Sequence, residues 1–167
     1  MGIYSIGVDL GGTNLRIAAV DSDGKLLDKL TTGTEVLRGR DFVIDEMCNA
    51  IQSLKVKYRD SAQLAGIGIG VPGFIDMDTG TVVRSPNLPD WINFPVREQI
   101  EQKLGTTVIL ENDANSAAMG EKWLGAGRNI DHMAMYTLGT GVGGGVVLNG
   151  RLWHGERHGR RAWTHEC

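Results

Sequence analysis

Cysteine and long apolar runs are both scarce in this sequence. Its 167 residues include only two cysteines, Cys48 and Cys167, which are too few and too far apart for a disulfide framework. No run of about 18 apolar residues occurs, and a strand pattern begins at once, without the basic and apolar segments of a secretion leader. We therefore expect a cytoplasmic protein that does not cross a membrane, with Cys48 as an inert buried thiol.

An excess of positive charge is also lacking. The chain has 17 Lys and Arg against 20 Asp and Glu, a formal net charge of −3. Because domains that bind nucleic acid carry a basic surface, this balance gives no reason to expect a nucleic-acid partner. Hydrophobic residues make up 41% and charged residues 22%, close to globular averages, so full disorder is excluded.

The alternation of apolar and small residues predicts how the chain is organised. Strands are expected at about residues 4–10, 15–20 and 25–32, forming an antiparallel meander. Asp41 can cap the next helix, which has one apolar face down to Tyr58. The later predicted elements are a strand at 65–71, a short helix opened by Pro95, a strand at 107–110, a helix at 114–124 and strands at 133–138 and 142–148. The prediction is a mixed α/β fold.

Glycine, by contrast, is abundant, with 24 residues, and one glycine-rich segment joins the first two strands. In Asp9-Leu10-Gly11-Gly12-Thr13-Asn14, the glycines let backbone N–H groups approach a phosphate, and the Thr13 hydroxyl adds a donor. Asp9, at the end of the strand, can hold Mg²⁺ through water, because that ion gives up its water reluctantly. An ordinary polar hairpin turn is the alternative.

A second glycine-rich segment, Gly139 to Gly145, has five glycines in seven residues between two predicted strands. That density weakens a strand and favours close approach of a ligand, although a glycine bulge or barrel-like corner is the alternative. Residues 139–144 and 68–73 both match the dinucleotide pattern G-x-G-x-x-G, but neither opens a convincing helix. The Rossmann interpretation is therefore rejected for both segments. No G-x-x-x-x-G-K-[ST] loop occurs, so the sequence does not favour a P-loop nucleotidase either.

A polar run, Glu111-Asn112-Asp113-Ala114-Asn115, comes directly after a predicted strand and enters a helix. Side chains at such a strand exit lie at the sheet edge where α/β folds build their sites. Asp113 can accept a proton from a substrate hydroxyl, and Asn112 can hydrogen-bond a neighbouring hydroxyl. The alternative is that Asn112 or Asp113 is simply the N-cap of the helix.

Taken in order, five segments resemble the ROK family of sugar kinases, and bacterial glucokinases in particular. They are the D-x-G-G-T-[NK] turn at Asp9, G-x-P-G at Gly70–Gly73, S-x-N-L-x-x-W at Ser85–Trp91, E-N-D-A-N at Glu111 and G-T-G-x-G-G-G at Gly139. The resemblance covers residues 3 to about 155, the first half of such a kinase. It implies an actin-like ATPase (ribonuclease-H-like) fold, with a lobe at 1–112 and the start of a second lobe at 113–155.

The resemblance implies ATP-dependent phosphorylation of a hexose, with glucose as the first candidate, in a protein whose full-length form is a dimer or tetramer. Asp113 would be the general base, Asn112 would orient the sugar hydroxyls, and Gly73 and Asn87 would line the sugar side. Mg²⁺ would be held by Asp9 through water. The residues that would hold the ATP phosphates are Asp9, Gly11, Gly12, Thr13, Asn14, Gly139, Thr140, Gly141, Gly143 and Gly144.

Two points stay open on the sequence alone. The first is the substrate, since neither the hexose nor the choice between ATP and polyphosphate as donor is fixed. The second is the class of function, because transcriptional regulators of the same family share these sugar and nucleotide segments. Such a regulator would carry a helix-turn-helix before the first strand, whereas Met1-Gly2-Ile3 leads directly into it. The kinase interpretation is therefore preferred to a sugar-sensing regulator.

The tail departs from the family pattern. Family members continue with a stretch resembling A-N-G-x-A-G-E-L-G-H, whose Glu and His bind sugar and whose His also ligates a structural zinc; these ligands are absent here. Codons for Gly155 to Cys167, read one nucleotide out of register, permit Ala-Asn-Gly-Met-Ala-Gly-Glu-Leu-Gly-His-Met. We hypothesise a frameshift near codon 155, so that residues 156–167 are aberrant, and sequencing the gene beyond codon 150 tests this.

Overall fold

The structure, a computed structural model, describes residues 2–139 and 141–155. The tail at 156–167, for which a frameshift is hypothesised, and the candidate phosphate-binding residue Thr140 lie outside the described residues. The chain divides into two units between Glu111 and Asn112.

The first unit is built on a five-stranded sheet. The five strands of this sheet are β1 (Gly2–Leu10), β2 (Asn14–Asp21), β3 (Leu26–Gly33), β4 (Ala62–Val71) and β7 (Ile109–Asn112). Two further strands, β5 (Phe74–Asp76) and β6 (Thr81–Arg84), form a hairpin. The main sheet has the order β3-β2-β1-β4-β7, and β5 and β6 pair separately. The predicted meander is confirmed, because β1 pairs antiparallel with β2 and β2 with β3, while β4 runs parallel to β1.

Two α-helices, α1 (Arg40–Tyr58) and α2 (Val96–Leu104), and a short 3-10 helix at Val36–Arg38 complete the first unit. The predicted apolar face of α1 is buried, and so are alternate residues of β1; the fully buried side chains of this core include Tyr4, Ile6, Leu10, Ile44, Met47, Ile51 and Leu54. Helix α2 begins after Pro95, as predicted. The prediction that Asp41 caps α1 is wrong. Gly39, with a φ of +89°, is the N-cap and makes no side-chain cap bond, so the helix starts two residues earlier than predicted.

The β5–β6 hairpin was missed by the sequence analysis, because its strands are too short to show an alternating pattern. A side chain from α2 holds its turn. The Arg97 guanidinium donates to the carbonyl oxygens of Met77 at 2.8 Å and Asp78 at 3.3 Å. The hairpin starts directly after Gly73 and ends directly before Ser85, so it brings these two residues together.

The second unit starts with helix α3 (Asp113–Leu124), which packs on a three-stranded sheet of β8 (Met133–Leu138), β9 (Val142–Leu148) and β10 (Arg151–Leu152). The strand order is β10-β9-β8. Asn149 and Gly150 form the turn between β9 and β10 with φ values of +52° and +73°, as the sequence predicts. In the part of the chain that the structure describes, no helix has the length and apolar character needed to cross a membrane.

Candidate functional site

The turn between β1 and β2 is held by hydrogen bonds of its own backbone and of Thr34. The Gly11 N–H donates to the Asn14 carbonyl at 2.9 Å, and the Thr34 N–H donates to the Thr13 carbonyl at 3.0 Å. The Thr34 hydroxyl, which is 2% exposed, donates to the Gly11 carbonyl at 2.6 Å. The turn is therefore pre-formed, which a phosphate-binding loop requires. Thr34 was missed, since no pattern in the sequence links the end of β3 to this turn.

Asp9 lies at the carboxyl end of β1, where the predicted magnesium site is expected. Its carboxylate accepts a hydrogen bond from Arg16 at 2.8 Å between Oδ2 and Nη1, and both side chains are about half exposed. Among the described residues, no three His, Cys, Asp or Glu side chains cluster to hold a metal directly. A single accessible carboxylate fits Mg²⁺ that keeps its water shell. Arg16 was missed, although the predicted meander already places it opposite Asp9.

The β1–β2 turn lies against Asn87, which was predicted to line the sugar side. A Cβ added to Gly12 would lie 3.0 Å from both Cβ and the carbonyl oxygen of Asn87. Such distances are tighter than ordinary van der Waals contact, so only glycine fits here without a shift of Asn87. Two of the predicted site segments, distant in the sequence, are thus neighbours in the first unit.

Gly73 and Ser85 extend this cluster at the base of the β5–β6 hairpin. Gly73 has a φ of +115°, and an added Cβ would lie 2.4 Å from the Arg84 carbonyl oxygen and 2.8 Å from Ser85 Cα. Ser85 is 4% exposed, and its hydroxyl has no hydrogen-bond partner in the described part of the chain. A buried hydroxyl without a partner is costly, so an ordered water or a ligand atom is expected beside it.

Asn112 and Asp113 form the start of α3. The Asn112 side-chain oxygen accepts hydrogen bonds from the backbone N–H groups of Ala114 at 3.0 Å and Asn115 at 3.1 Å. The N-cap alternative is therefore correct for Asn112, and its side-chain nitrogen can only donate. Asp113 is partly exposed, and its Oδ1 accepts from the Ala114 N–H at 2.8 Å.

The second glycine segment has two parts with different surroundings. Residues 139–141 join β8 to β9, the Gly139 N–H donates to the Gly141 carbonyl at 3.0 Å, and a Cβ at either glycine would meet nothing within 4 Å. In β9, a Cβ at Gly145 would lie 2.6 Å from Ala118 Cβ of α3, and a Cβ at Gly143 would lie 2.6 Å from Thr137 Oγ1 of β8 and 3.2 Å from Ala114 Cβ of α3. The close approach inferred from the sequence is real in β9, and there the neighbours are α3 and β8.

Cys48 lies on the buried face of α1 and is 6% exposed. Burial raises the pKa of its thiol to about 11, against the small opposing effect of Lys103. At neutral pH the thiolate fraction is therefore negligible. The prediction of an inert buried thiol is confirmed for Cys48, and this group takes no part in the site.

Comparison with curated proteins places these features in a family. The ROK family model matches residues 5–162. The glucokinase of Thermotoga maritima is 47% identical over 151 residues, which cover 90% of this chain and 46% of that protein. The glucokinase of Halalkalibacterium halodurans is 40% identical over 153 residues, covering 91% of this chain and 46% of that protein. The chain thus spans about half the length of the curated relatives it matches.

Solved structures show the same relationship. A ROK family glucokinase from Streptomyces griseus, in complex with glucose and AMPPNP, superposes with a TM-score of 0.81 at 35% identity, covering 92% of this chain and 47% of that one. A ROK family transcriptional regulator, a homologue of the E. coli MLC protein, superposes with a TM-score of 0.80 at 25% identity, covering 95% of this chain and 40% of that one. The same half-length fold therefore occurs in both kinases and regulators.

Proposed function

The chain belongs to the ROK family, and we propose that it is the N-terminal half of an ATP-dependent hexose kinase. Its α/β structure is the N-terminal part of the actin-like ATPase (ribonuclease-H-like) fold of that family. The observation that carries the proposal is the contact of the pre-formed β1–β2 turn, through Gly12, with Asn87. Glucose is the proposed substrate, because the Thermotoga maritima and Halalkalibacterium halodurans relatives are glucokinases.

In the first unit, we assign the ATP phosphates to the β1–β2 turn. Backbone N–H groups of the turn and the Thr13 hydroxyl would donate to phosphate oxygens, and the residues proposed for this are Gly11, Gly12, Thr13 and Asn14. Asp9 would hold Mg²⁺ through water, and the ion would offset the charge that develops during phosphoryl transfer. Asn87, which lies against the turn, and Gly73, at the base of the β5–β6 hairpin, would face the sugar.

In the second unit, the turn at Gly139 to Gly141 is the proposed second phosphate cradle, with Gly143 and Gly144 continuing it along β9. The space beside Gly139 and Gly141 is open, and this supports these two glycines most directly. A Cβ at Gly143 would instead meet both Thr137 of β8 and Ala114 of α3. We therefore expect substitution of Gly139 or Gly141 to weaken nucleotide binding without a loss of stability.

Asp113 is the proposed general base. Its carboxylate would take the proton from a sugar hydroxyl while that oxygen forms a bond to the γ-phosphorus of ATP and the bond from this phosphorus to the β,γ-bridging oxygen breaks, releasing ADP. The Asn112 side-chain nitrogen would donate to a neighbouring sugar hydroxyl, because the side-chain oxygen is held by the helix start. The helix thus fixes both residues, which limits their motion during the reaction.

The experiment that tests the function joins residues 1–155 of this chain to the C-terminal part of the Thermotoga maritima glucokinase. We expect the chimera to form ADP from ATP only when glucose is added. ADP formation with another hexose in preference to glucose would correct the substrate. Sugar binding without phosphorylation, measured by calorimetry, would favour the regulator alternative, for which the similarity to a ROK family transcriptional regulator is the supporting observation.

Three further properties complete the proposal. The low cysteine content favours the cytoplasm. ATP is the proposed donor, because the Streptomyces griseus structure holds AMPPNP, and polyphosphate is the alternative. The whole protein is proposed to be a homo-oligomer, a dimer or tetramer, and to act without nucleic acid or membrane.

A further inference from the structure

Strands β8 and β9 of the second unit carry no charged residue on either face. Contacts of the β9 glycines with α3 show which face the helix covers, and strand alternation assigns the remaining residues. Met133, Met135, Thr137, Gly143, Gly145 and Val147 lie on the α3 side. The opposite side, which we name the open face, consists of Ala134, Tyr136, Leu138, Val142, Gly144, Val146 and Leu148. Its β8 and β9 residues include no charged side chain, and Arg151 of β10, which pairs with Leu148, lies on the same side at the far edge of the sheet.

Large side chains of the open face are exposed. Leu138 is 83% exposed, Tyr136 is 66% exposed, and Val142 and Leu148 are 44% and 42% exposed. Strands that are apolar on both sides are typical of sheets that are buried on both sides, and an exposed contiguous apolar patch marks an interaction surface. In the described part of the second unit, α3 is the one helix, and it covers the other side.

The edge of the same sheet is open as well. In the order β10-β9-β8, β8 is an edge strand as far as the described residues show. It is six residues long and carries no proline or charged residue, so it lacks the features that protect edge strands from pairing. Another strand can therefore add to β8 while its attached elements cover the open face.

The relatives indicate which segment occupies this surface. The chain covers 46% of the Thermotoga maritima glucokinase and 47% of the Streptomyces griseus chain, so more than half of each relative lies outside the match. Consecutive elements of a chain are usually neighbours in space, so the segment after β10 in those proteins belongs beside this sheet. We propose that the open face and the β8 edge bind the C-terminal half of a ROK kinase, even when that half is a separate polypeptide.

The test is co-expression of the tagged 167-residue chain with the untagged C-terminal half of the Thermotoga maritima glucokinase. The two polypeptides are expected to co-purify in equal amounts. Leu138→Asp and Val142→Asp, which alter directly paired positions of the open face, are expected to lower the affinity at least tenfold. Both side chains are already exposed, so circular dichroism of the isolated variants should be unchanged. Leu37→Asp is the control, because Leu37 is fully exposed and lies in the first unit.

Three outcomes would overturn this proposal: no complex, a complex that both variants leave intact, or a homodimer of the chain that either variant dissociates in light scattering. The last result would assign the open face to a second copy. The readout is binding, so it is independent of the proposed kinase activity. A complex that forms through the open face but does not phosphorylate any hexose would contradict the proposed function and leave the docking surface in place.

Discussion

At the scale of single residues, the structure separates glycines that the backbone requires from glycines that face open space. Gly73 combines a positive φ with a backbone atom 2.4 Å from its added Cβ, whereas nothing lies within 4 Å of a Cβ at Gly7. The sequence shows both simply as glycine. The ROK resemblance singled out Gly73, but the strain at this position became visible only with the β5–β6 hairpin, which the sequence analysis missed.

Gly73→Ala is therefore expected to destabilise the first unit. The new methyl group meets backbone on one side and the φ of +115° disfavours any side chain, so we expect a loss of about 2 kcal/mol or more in the free energy of unfolding. Urea unfolding followed by the fluorescence of Trp91, which is buried in this unit, measures the change.

The matched control is Gly7→Ala in β1. Its added methyl group faces open space, and alanine loses less backbone entropy than glycine on folding, so stability should be unchanged or slightly raised. Equal effects of the two substitutions would contradict the strained geometry assigned to Gly73.

At the scale of elements, the packing of α3 on β9 explains the glycine-rich strand. The strands at 133–138 and 142–148 and the helix at 114–124 were predicted correctly from periodicity and glycine stops. The neighbours of the glycines could not be predicted, because a sequence shows that backbone must approach something closely but not whether a ligand, a strand or a helix approaches. Gly145 approaches α3, and Gly143 approaches both β8 and α3.

Gly145→Ala should accordingly loosen α3 from the sheet. The added Cβ would lie 2.6 Å from Ala118 Cβ, an overlap that we expect to cost about 1–3 kcal/mol. Combining it with Ala118→Gly should recover part of this loss, although the helical glycine itself costs about 1 kcal/mol. Thermal melts of the single and double variants measure the recovery, and strictly additive losses would contradict the direct contact. Gly141→Ala, in open space, is the control.

The ion pair between β3 and α1 should make stability depend on pH. Lys57 donates to the Asp28 carboxylate, which holds the pKa of Asp28 below its ordinary value and raises the pKa of Lys57. A carboxyl group with a lowered pKa stabilises the fold above the pKa of the unfolded chain, near pH 4, and this contribution is lost as the pH falls through the lowered value. The contribution of Lys57 to the stability of the fold is likewise lost as the pH rises through its raised pKa.

Asp28→Asn should flatten the dependence of stability on pH below about pH 4 and leave the profile between about pH 6 and 8 almost parallel to that of the unchanged protein. Urea midpoints measured at intervals from about pH 2.5 to pH 8 test this. A profile as steep in the variant as in the unchanged chain would show that the ion pair does not contribute. Asp60→Asn is the control, since Asp60 is exposed and pairs with Arg59, its neighbour in the chain, rather than with another element.

At the scale of the whole molecule, the fold of the first unit and the family could be predicted, because they rest on periodicity and on an ordered set of motifs. The β5–β6 hairpin was missed because its strands are too short to alternate, and the cap of α1 because it is a glycine without a capping side chain. The partnership of Arg16 with Asp9 could have been inferred from the meander. The role of Thr34 could not, because it depends on a contact between residues far apart in the chain, which local patterns do not record. The open face belongs to the same class, since periodicity predicted β8 and β9 but not which of their faces would be covered.

The most direct test of the account is the turnover of the chimera with the Thermotoga maritima glucokinase after Asp113→Asn. Asparagine keeps the size of the side chain and an acceptor for the Ala114 N–H but cannot take the proton, so kcat with glucose should fall about 10²–10⁴-fold while glucose binding stays within about threefold. Asp131→Asn, on an exposed residue of the same unit, should leave kcat unchanged. Turnover of the Asp113 variant at the rate of the unchanged chimera would contradict the assignment of Asp113 as the base, and with it the central claim.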